Sequence, residues 1–297
     1  MRVTMLGTGA AFADPDRCQS GILISTESGR HYLLECGSGI TRQMVRAGVS
    51  PSEVSAVVLS HLHHDHVVDF PMFAITGWMW NRQDSPIVFG PKGIRTFCDR
   101  LFEGGAFDVD FRARAAYPLR QSNLAAVRPD ARELVPGPFF DDGHVRMSCA
   151  WVDHLPHDVC ECFGIRVEAD GKSVAFSGDT KPCDGMLSLA EGVDLLIHEA
   201  TFPEAFLQHR AKSGVGTFAH TSPTELGKLA TRAGVKSLVA THFGHFDTTS
   251  PVIKRVAGAH LPVDLMGPHM LDEVVREIRL NYAGPLRLAH DLMRIDL

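Results

Sequence analysis

The chain has 297 residues, 44% hydrophobic and 22% charged, with a net charge of −6, sixteen histidines and seven cysteines. This is the make-up of a globular protein with a full core, and the acidic balance argues against tight nucleic-acid binding, which needs a basic face. The cysteines are scattered and odd in number, which favours a reducing, cytoplasmic compartment over a disulfide framework. No apolar run reaches the ~20 residues of a membrane span, and MRVTMLGTGA does not read as a signal peptide.

Arg2 to Leu6 alternates and reads as a first strand, closed by the glycine turn Gly7-Thr8-Gly9. The full dinucleotide spacing is absent, and Asp14-Pro15-Asp16 breaks the chain before any helix could follow. Gly21 to Thr26 and Tyr32 to Glu35 are two further strands. Cys36-Gly37-Ser38-Gly39 opens a helix over Ile40 to Ala47 that closes at Gly48. After the central motif, Asp69 to Arg82 is apolar nearly all round, as in a buried or interface-facing helix. Trp78 and Trp80 are assigned to core packing, with a substrate wall as the alternative. Ile87 to Phe89 is a strand, and Gly93 precedes a helix around Ile94 to Phe102.

The mixed charges of Glu103 to Pro138 suggest short strands and loops. Val145 to Val152 is a strand, and Phe163 to Ala169 with Ser173 to Ser177 forms a hairpin about Asp170-Gly171. Cys160-Glu161-Cys162 is too close for an ordinary zinc pair and is read as structural. Asp194 to Ile197 is a strand, Thr224 to Ala233 a helix with Ser222-Pro223 at its start, and Ser237 to Ala240 a strand. Asp272 to Asn281 is a helix, and Leu286 to Leu297 supplies one or two closing strands. The alternation points to a layered α/β fold, one domain over residues 1–297.

The densest chemistry lies in Val57 to Asp69, VVLSHLHHDHVVD. A buried strand opens into a loop carrying His61, His63, Asp65 and His66. Residues two apart on an extended backbone share a side, so His61 and His63 can face one metal ion. Asp65 and His66 follow the turn and can face a second. Three imidazoles and a carboxylate suit zinc, with manganese or iron as alternatives. His64 is at a spacer position and is read as solvated. Other strands also end in residues that can bind metal: His154, Asp179 and His242. Ligands at strand ends converge on one edge of a sheet, where α/β folds place their sites. His157 rivals His154 and His245 rivals His242, each lying farther from its strand end. Asp179 could also be a simple turn aspartate.

The order His-x-His-x-Asp-His after an apolar strand resembles the metallo-β-lactamase-fold hydrolases. That resemblance implies a four-layer αββα sandwich with two divalent metal ions. One would be held by His61, His63, His154 and Asp179, the other by Asp65, His66, Asp179 and His242. Two ions ~3.5–4 Å apart can share a bridging water and bring its pKa from 15.7 toward ~7, giving a hydroxide that attacks the substrate. Asp65 would orient it or take its proton. Leu6-Gly7-Thr8-Gly9, Gly178-Asp179-Thr180, His198-Glu199-Ala200-Thr201-Phe202, His220-Thr221-Ser222 and Thr241-His242 resemble, more narrowly, the ribonuclease Z and arylsulfatase-like branch.

This branch implies a proton relay through His220 and Glu199 to the leaving group. On the residues alone, His198 and Glu199 could simply stabilise a strand exit. The long Gly/Pro/Lys-rich arm with which that nuclease family grips tRNA has no room between His154 and Asp179, and Phe243-Gly244-His245-Phe246-Asp247 replaces the family's aromatic-basic continuation. The expected substrate is therefore a small ester, a phosphodiester first, rather than tRNA. Alternatives are an aryl sulfate, a lactone or a β-lactam, and outside catalysis a metal-containing scaffold. The redox branch prefers a glutamate where this chain has His63. Pro251 to Pro268 is assigned to the pocket rim. A homodimer is expected, with Phe70 to Trp80 as its interface.

Overall fold

A computed structural model describes residues 1–120, 123–212, 219–258 and 263–297. Two seven-stranded sheets face each other. The first contains β1 (Arg2–Gly7), β2 (Gly21–Ser25), β3 (His31–Leu34), β4 (Val54–Val58), β5 (Ile87–Gly90) and β6 (Asp130–Glu133). The second contains β7 (Gly137–Asp141), β8 (Arg146–Trp151), β9 (Phe163–Ala169), β10 (Lys172–Phe176), β11 (Leu195–Glu199), β12 (Leu238–Thr241) and β13 (Leu286–Leu288). The last strand, β14 (Met293–Asp296), returns to pair antiparallel with β1, so the two closing strands divide between the sheets.

Alternation builds the sandwich. In β9, Phe163, Ile165, Val167 and Ala169 point into the space between the sheets, where they meet Val3, Ile24, Leu34 and Val58. β4 is apolar on both sides because both are covered: Ala56 and Val58 face the other sheet, Val54 and Val57 the helices. Those helices are α1 (Ile40–Ala47), the four-residue α2 (His64–Val67), α3 (Phe70–Met79) and α4 (Ile94–Phe102), followed by α5 (Asp108–Ala115). The second sheet is covered by α6 (Asp184–Ala190), α8 (Pro223–Arg232) and α10 (His269–Arg279). α7 (Glu204–Lys212) and α9 (Pro251–Ala257) complete the α-helices of the described residues. The layers are helix, sheet, sheet, helix.

The expectation for Glu103 to Pro138 needs correction, because α5 lies within it. Its mixed charges are i,i+4 pairs, Arg112 with Asp108 at 2.7 Å and Arg114 with Asp110 at 3.0 Å. They stabilise a helix that buries only Phe111, so the apolar stripe that signals a helix is missing. Trp78 is fully buried and donates its indole N–H to Asn123 at 3.2 Å, whereas Trp80 is 49% exposed and does not pack in the core. In the stretch assigned to the pocket rim, α9 buries none of its residues, and residues 259–262 lie outside those described.

The glycine turn after β1 has a packing role. It lets two backbones touch: a Cβ on Gly7 would sit 1.8 Å from the Gln19 carbonyl oxygen. The next residues cross to the second sheet, where the Phe243 amide donates to the Thr8 carbonyl at 2.9 Å and the Ala10 amide to the Phe243 carbonyl at 3.0 Å. This ties β1 to the exit of β12, and so closes the edge where the histidines gather. No helix among the described residues is long and apolar enough to cross a membrane. All seven cysteines are free.

Candidate metal centre

β4 and the strands β10, β11 and β12 deliver their C-terminal ends to one edge, because β10, β11 and β12 run parallel. His61 follows β4. His63 then caps α2 in extended conformation, which turns the chain so that Asp65 and His66 point back beside His61. His154 follows β8, Asp179 follows β10, and His242 follows β12 with a left-handed φ of 58°. His61, His63, His154 and Asp179 each bring one ligand atom within 4.8 Å of the others, and Asp65, His66, Asp179 and His242 do the same.

Asp179 belongs to both groups, and its two oxygens divide between them. Oδ2 lies 3.8 Å from His154 Nε2, while Oδ1 lies 3.5 Å from His66 Nε2 and 3.3 Å from His242 Nε2. On the first side His63 Nδ1 lies 3.1 Å from His61 Nε2 and 3.2 Å from His154 Nε2. On the other, Asp65 Oδ2 lies 3.3 Å from His242 Nε2 and 3.5 Å from His66 Nε2. Of the rivals, His157 is exposed and sets its ring edge to Trp151 at 5.5 Å, and His245 is buried against Phe12 and Phe206. Neither enters the cluster. His64 is exposed and reaches the Ala11 carbonyl, while His198 is buried in β11 with Nδ1 at its neighbour's carbonyl.

The donor set fits divalent ions. Three imidazole nitrogens aimed at one another can share few protons, and a cation between them satisfies all three lone pairs. His66 Nε2 and Asp179 Oδ1 are buried without a hydrogen-bond partner, two orphaned atoms facing the same space. Burial, then the neighbouring imidazoles of His66 and His154, push His61 well below its usual range, so its lone pair is free. Burial also lowers His63, with His154 adding to it. Burial would raise the Asp65 and Asp179 carboxyls, but His242 and His66 hold both below the carboxylate range. His66 is the counterpart: burial disfavours its proton, yet Asp179, Asp65 and Glu35 raise it well above its usual range.

A second layer of hydrogen bonds fixes the rings, and most of it carried no signal in the sequence. Ser60 Oγ meets His61 Nδ1 at 2.9 Å, the Ala219 carbonyl meets His154 Nδ1 at 2.8 Å, and Thr201 Oγ1 meets His242 Nδ1 at 2.9 Å. Each leaves Nε2 for the cluster. Glu35, wholly buried at the end of β3, accepts from the Ser60 amide at 2.8 Å and lies 3.1 Å from His66 Nδ1. Sequence reasoning took it for the end of a strand. A carboxylate that closes an apolar run just before a glycine turn was the available clue.

Glu35→Gln is expected to lower metal affinity ~10–100-fold, the usual cost of losing such a partner. The amide keeps the shape, but its NH₂ group would face the His66 Nδ1 proton and favour the tautomer that closes Nε2 to a metal. Chelator competition measures the loss, with circular dichroism to show the fold intact.

Next to this cluster lies a third group, Glu199, His220 and His242. It reads as a hydrogen-bonded chain, not as a third ion site. Glu199 is buried and accepts from the Thr180 amide at 2.7 Å, from Thr201 Oγ1 at 2.6 Å and from His220 Nδ1 at 2.9 Å. Thr201 therefore links His242, through its own oxygen, to the carboxylate that holds His220. Burial opposes a proton on His220, and the Glu199 charge and hydrogen bond outweigh it, so that the imidazole is pushed up to about 9 in the chain without ions. The His220 ring lies 5.1 Å from that of His154 and 6.1 Å from that of His242.

Residues 1–226 match the family model described as anti-Pycsar protein Apyc1. The ribonuclease Z of Mycobacterium marinum (strain ATCC BAA-535 / M) is 33% identical over 250 residues, covering 82% of this chain and 86% of that protein. Among solved structures, the metallo-β-lactamase fold protein YhfI from Bacillus subtilis superposes with a TM-score of 0.70 at 20% identity over 99% of both chains. Human tRNase Z, short form, gives 0.68 at 21% over 100% of this chain and 99% of that one. Two β sheets between helix layers, a strand-edge cluster of histidines and aspartates, and these matches place the chain in the Apyc1 family of ribonuclease Z-like hydrolases with the metallo-β-lactamase fold.

Proposed function

We propose that the chain, acting as one domain over residues 1–297, hydrolyses phosphodiesters of small molecules with two divalent ions in the strand-edge cluster. The observation that carries this reading is the His220–Glu199 pair at 2.9 Å, set against His154 and His242. A buried carboxylate that orients an imidazole beside a cluster of metal-type ligands suits a reaction whose leaving group must take up a proton, such as an alkoxide. Kinship with a ribonuclease, an enzyme of phosphodiester bonds, supports the same bond type.

His61, His63, His154 and Asp179 would hold one ion, and Asp65, His66, Asp179 and His242 the other. Zinc is the first choice for this N/O set, with manganese or iron behind it. Bound there, the ions would supply Lewis acidity and ease the ionisation of a water at neutral pH. The chain's own residues do the rest. Asp65, kept ionised, orients the attacking water and can accept its proton. His220, with Nδ1 committed to Glu199, offers Nε2 to the leaving oxygen. Thr180 and Thr201 donate to Glu199 and keep it an acceptor, so the imidazole cannot rotate away.

The small-molecule assignment rests on charge and on space. The chain is acidic at −6, and His154 to Asp179 holds only a short loop and the β9–β10 hairpin. Further proposals are a cytoplasmic location, from the seven free cysteines, and a homodimer across α3, whose Met72 is 57% exposed beside Trp80 at 49%.

The test is a substrate panel with the metal-loaded protein: bis-p-nitrophenyl phosphate, p-nitrophenyl sulfate, a lactone, nitrocefin and a tRNA precursor. The diester should turn over fastest. Cleavage of the sulfate, the lactone or nitrocefin instead would move the activity to that class. Correct tRNA trimming would overturn the small-molecule assignment, and silence throughout would favour a metal-containing scaffold.

A further inference from the structure

Beyond His220 the ring contacts continue along one wall. Phe202, which follows Thr201 directly, meets His220 edge-on at 6.1 Å and stacks on Phe206 at 4.9 Å. Phe206 meets His245 at 6.0 Å. Over the Phe202 ring lies the guanidinium of Arg210, on α7, with Cζ 4.6 Å from the ring centre.

Arg210 differs from the other arginines held close to the protein body. Arg17 pairs with Asp247 at 2.7 Å, and Arg82, whose Nε is likewise unpartnered, donates through its two terminal nitrogens to the carbonyls of Val54 and Pro51. Arg210 is about half-buried, yet its Nε is enclosed without any hydrogen-bond partner among the described residues. Burial is the only influence on its charge, so no carboxylate offsets it. An N–H enclosed without an acceptor is costly. Stacking on an aromatic face fixes its plane and leaves its N–H edge available for a carboxylate or phosphate. Its position is also informative. It lies close enough to His220 and His245 for its charge to disfavour a proton on either. Through Phe202, which meets both the guanidinium and the His220 ring, it stands on the His220 side of the centre.

We propose that Arg210, stacked on Phe202 beside His220, binds an oxyanion on the leaving portion of the substrate, a carboxylate or phosphate other than the group that is cleaved. The inference deepens the phosphodiester reading and rests on it for the orientation of the substrate. It implies a substrate with at least two anionic groups, and the chain would prefer it over a diester with one.

Calorimetry on the metal-loaded protein can test this without turnover. Benzylphosphonate supplies one anionic group, and 4-(phosphonomethyl)benzoate adds a carboxylate across the ring. The wild-type chain should bind the second on the order of tenfold more tightly, the scale of one charge-assisted hydrogen bond. Arg210→Gln should erase that preference, weakening 4-(phosphonomethyl)benzoate far more than benzylphosphonate, and Arg210→Lys should keep part of it. A preference that survives in Arg210→Gln, or that is absent from the wild type, overturns the assignment. If benzylphosphonate itself does not bind, the phosphodiester reading fails, and benzoate titrated into the same protein decides the question of Arg210. Benzoate binding that disappears in Arg210→Gln keeps the subsite, and no binding removes it.

Discussion

Asp179→Asn is expected to lower diester hydrolysis at least ~10²–10³-fold, the scale of losing one preorganised electrostatic element, and to release metal from both halves of the cluster. The reason is that Asp179 is the residue the two groups share. Its Oδ1 faces His66 and His242, and its Oδ2 faces His154. Asparagine keeps the size but removes the charge and one acceptor, so each proposed ion would lose a ligand and the pair its link. Ions that bind only the folded chain stabilise it by about 4 kcal/mol at 1,000 times the dissociation constant. The variant should therefore also lose most of the metal-dependent rise in Tm. A simple turn aspartate would show neither effect: metal content and the Tm response would match the wild type.

His220→Ala is expected to behave in the opposite way with respect to metal. It belongs to neither shared-aspartate group, so both ions should remain while kcat falls ~10²–10⁴-fold, the range for losing a positioned acid. The loss should depend on the leaving group. A p-nitrophenolate leaves without a proton, so the effect should be smallest for bis-p-nitrophenyl phosphate and largest for a diester with an alkyl leaving group. Equal losses on both would assign His220 to binding or structure. Glu199→Gln should follow the same trend at smaller amplitude, because the imidazole remains but its orientation and charge are less well supported.

Much of this was legible in the sequence, for identifiable reasons. α1 and α4 match their expected bounds because glycines stand before each: Gly39 and Gly93 adopt left-handed conformations, at φ of 86° and 99°, and Gly48 closes α1 at 90°. The central strand was legible because it is covered on both sides and so apolar at every position but Ser55. His61, His63, Asp65 and His66 stood out because four such side chains within six residues are rare after a buried strand. His154, Asp179 and His242 lie beside them in space because parallel strands deliver their ends to one edge.

What the sequence hid was of three kinds. α5 was hidden because it is held by surface charge pairs and buries one aromatic ring, so no apolar stripe marks it. Glu35, Ser60 and Thr201 were hidden because their role depends on contacts between residues far apart in the chain. Ser60 and Thr201 are common residue types, and only the fold shows that one hydroxyl orients His61 and the other joins His242 to Glu199. The burial of Trp78 against the exposure of Trp80 was hidden too, because an apolar helix gives no phase from its sequence alone.

The central claim is that the strand-edge cluster holds two divalent ions and that both are needed for phosphodiester cleavage. The most direct test is to strip the protein with a chelator, return zinc or manganese in steps, and follow bound metal and bis-p-nitrophenyl phosphate turnover in the same samples. Turnover that rises with loading and reaches its plateau at two ions per chain is the predicted result. A chain that fills with two ions and cleaves no diester, or one that is fully active with a single ion, would contradict it.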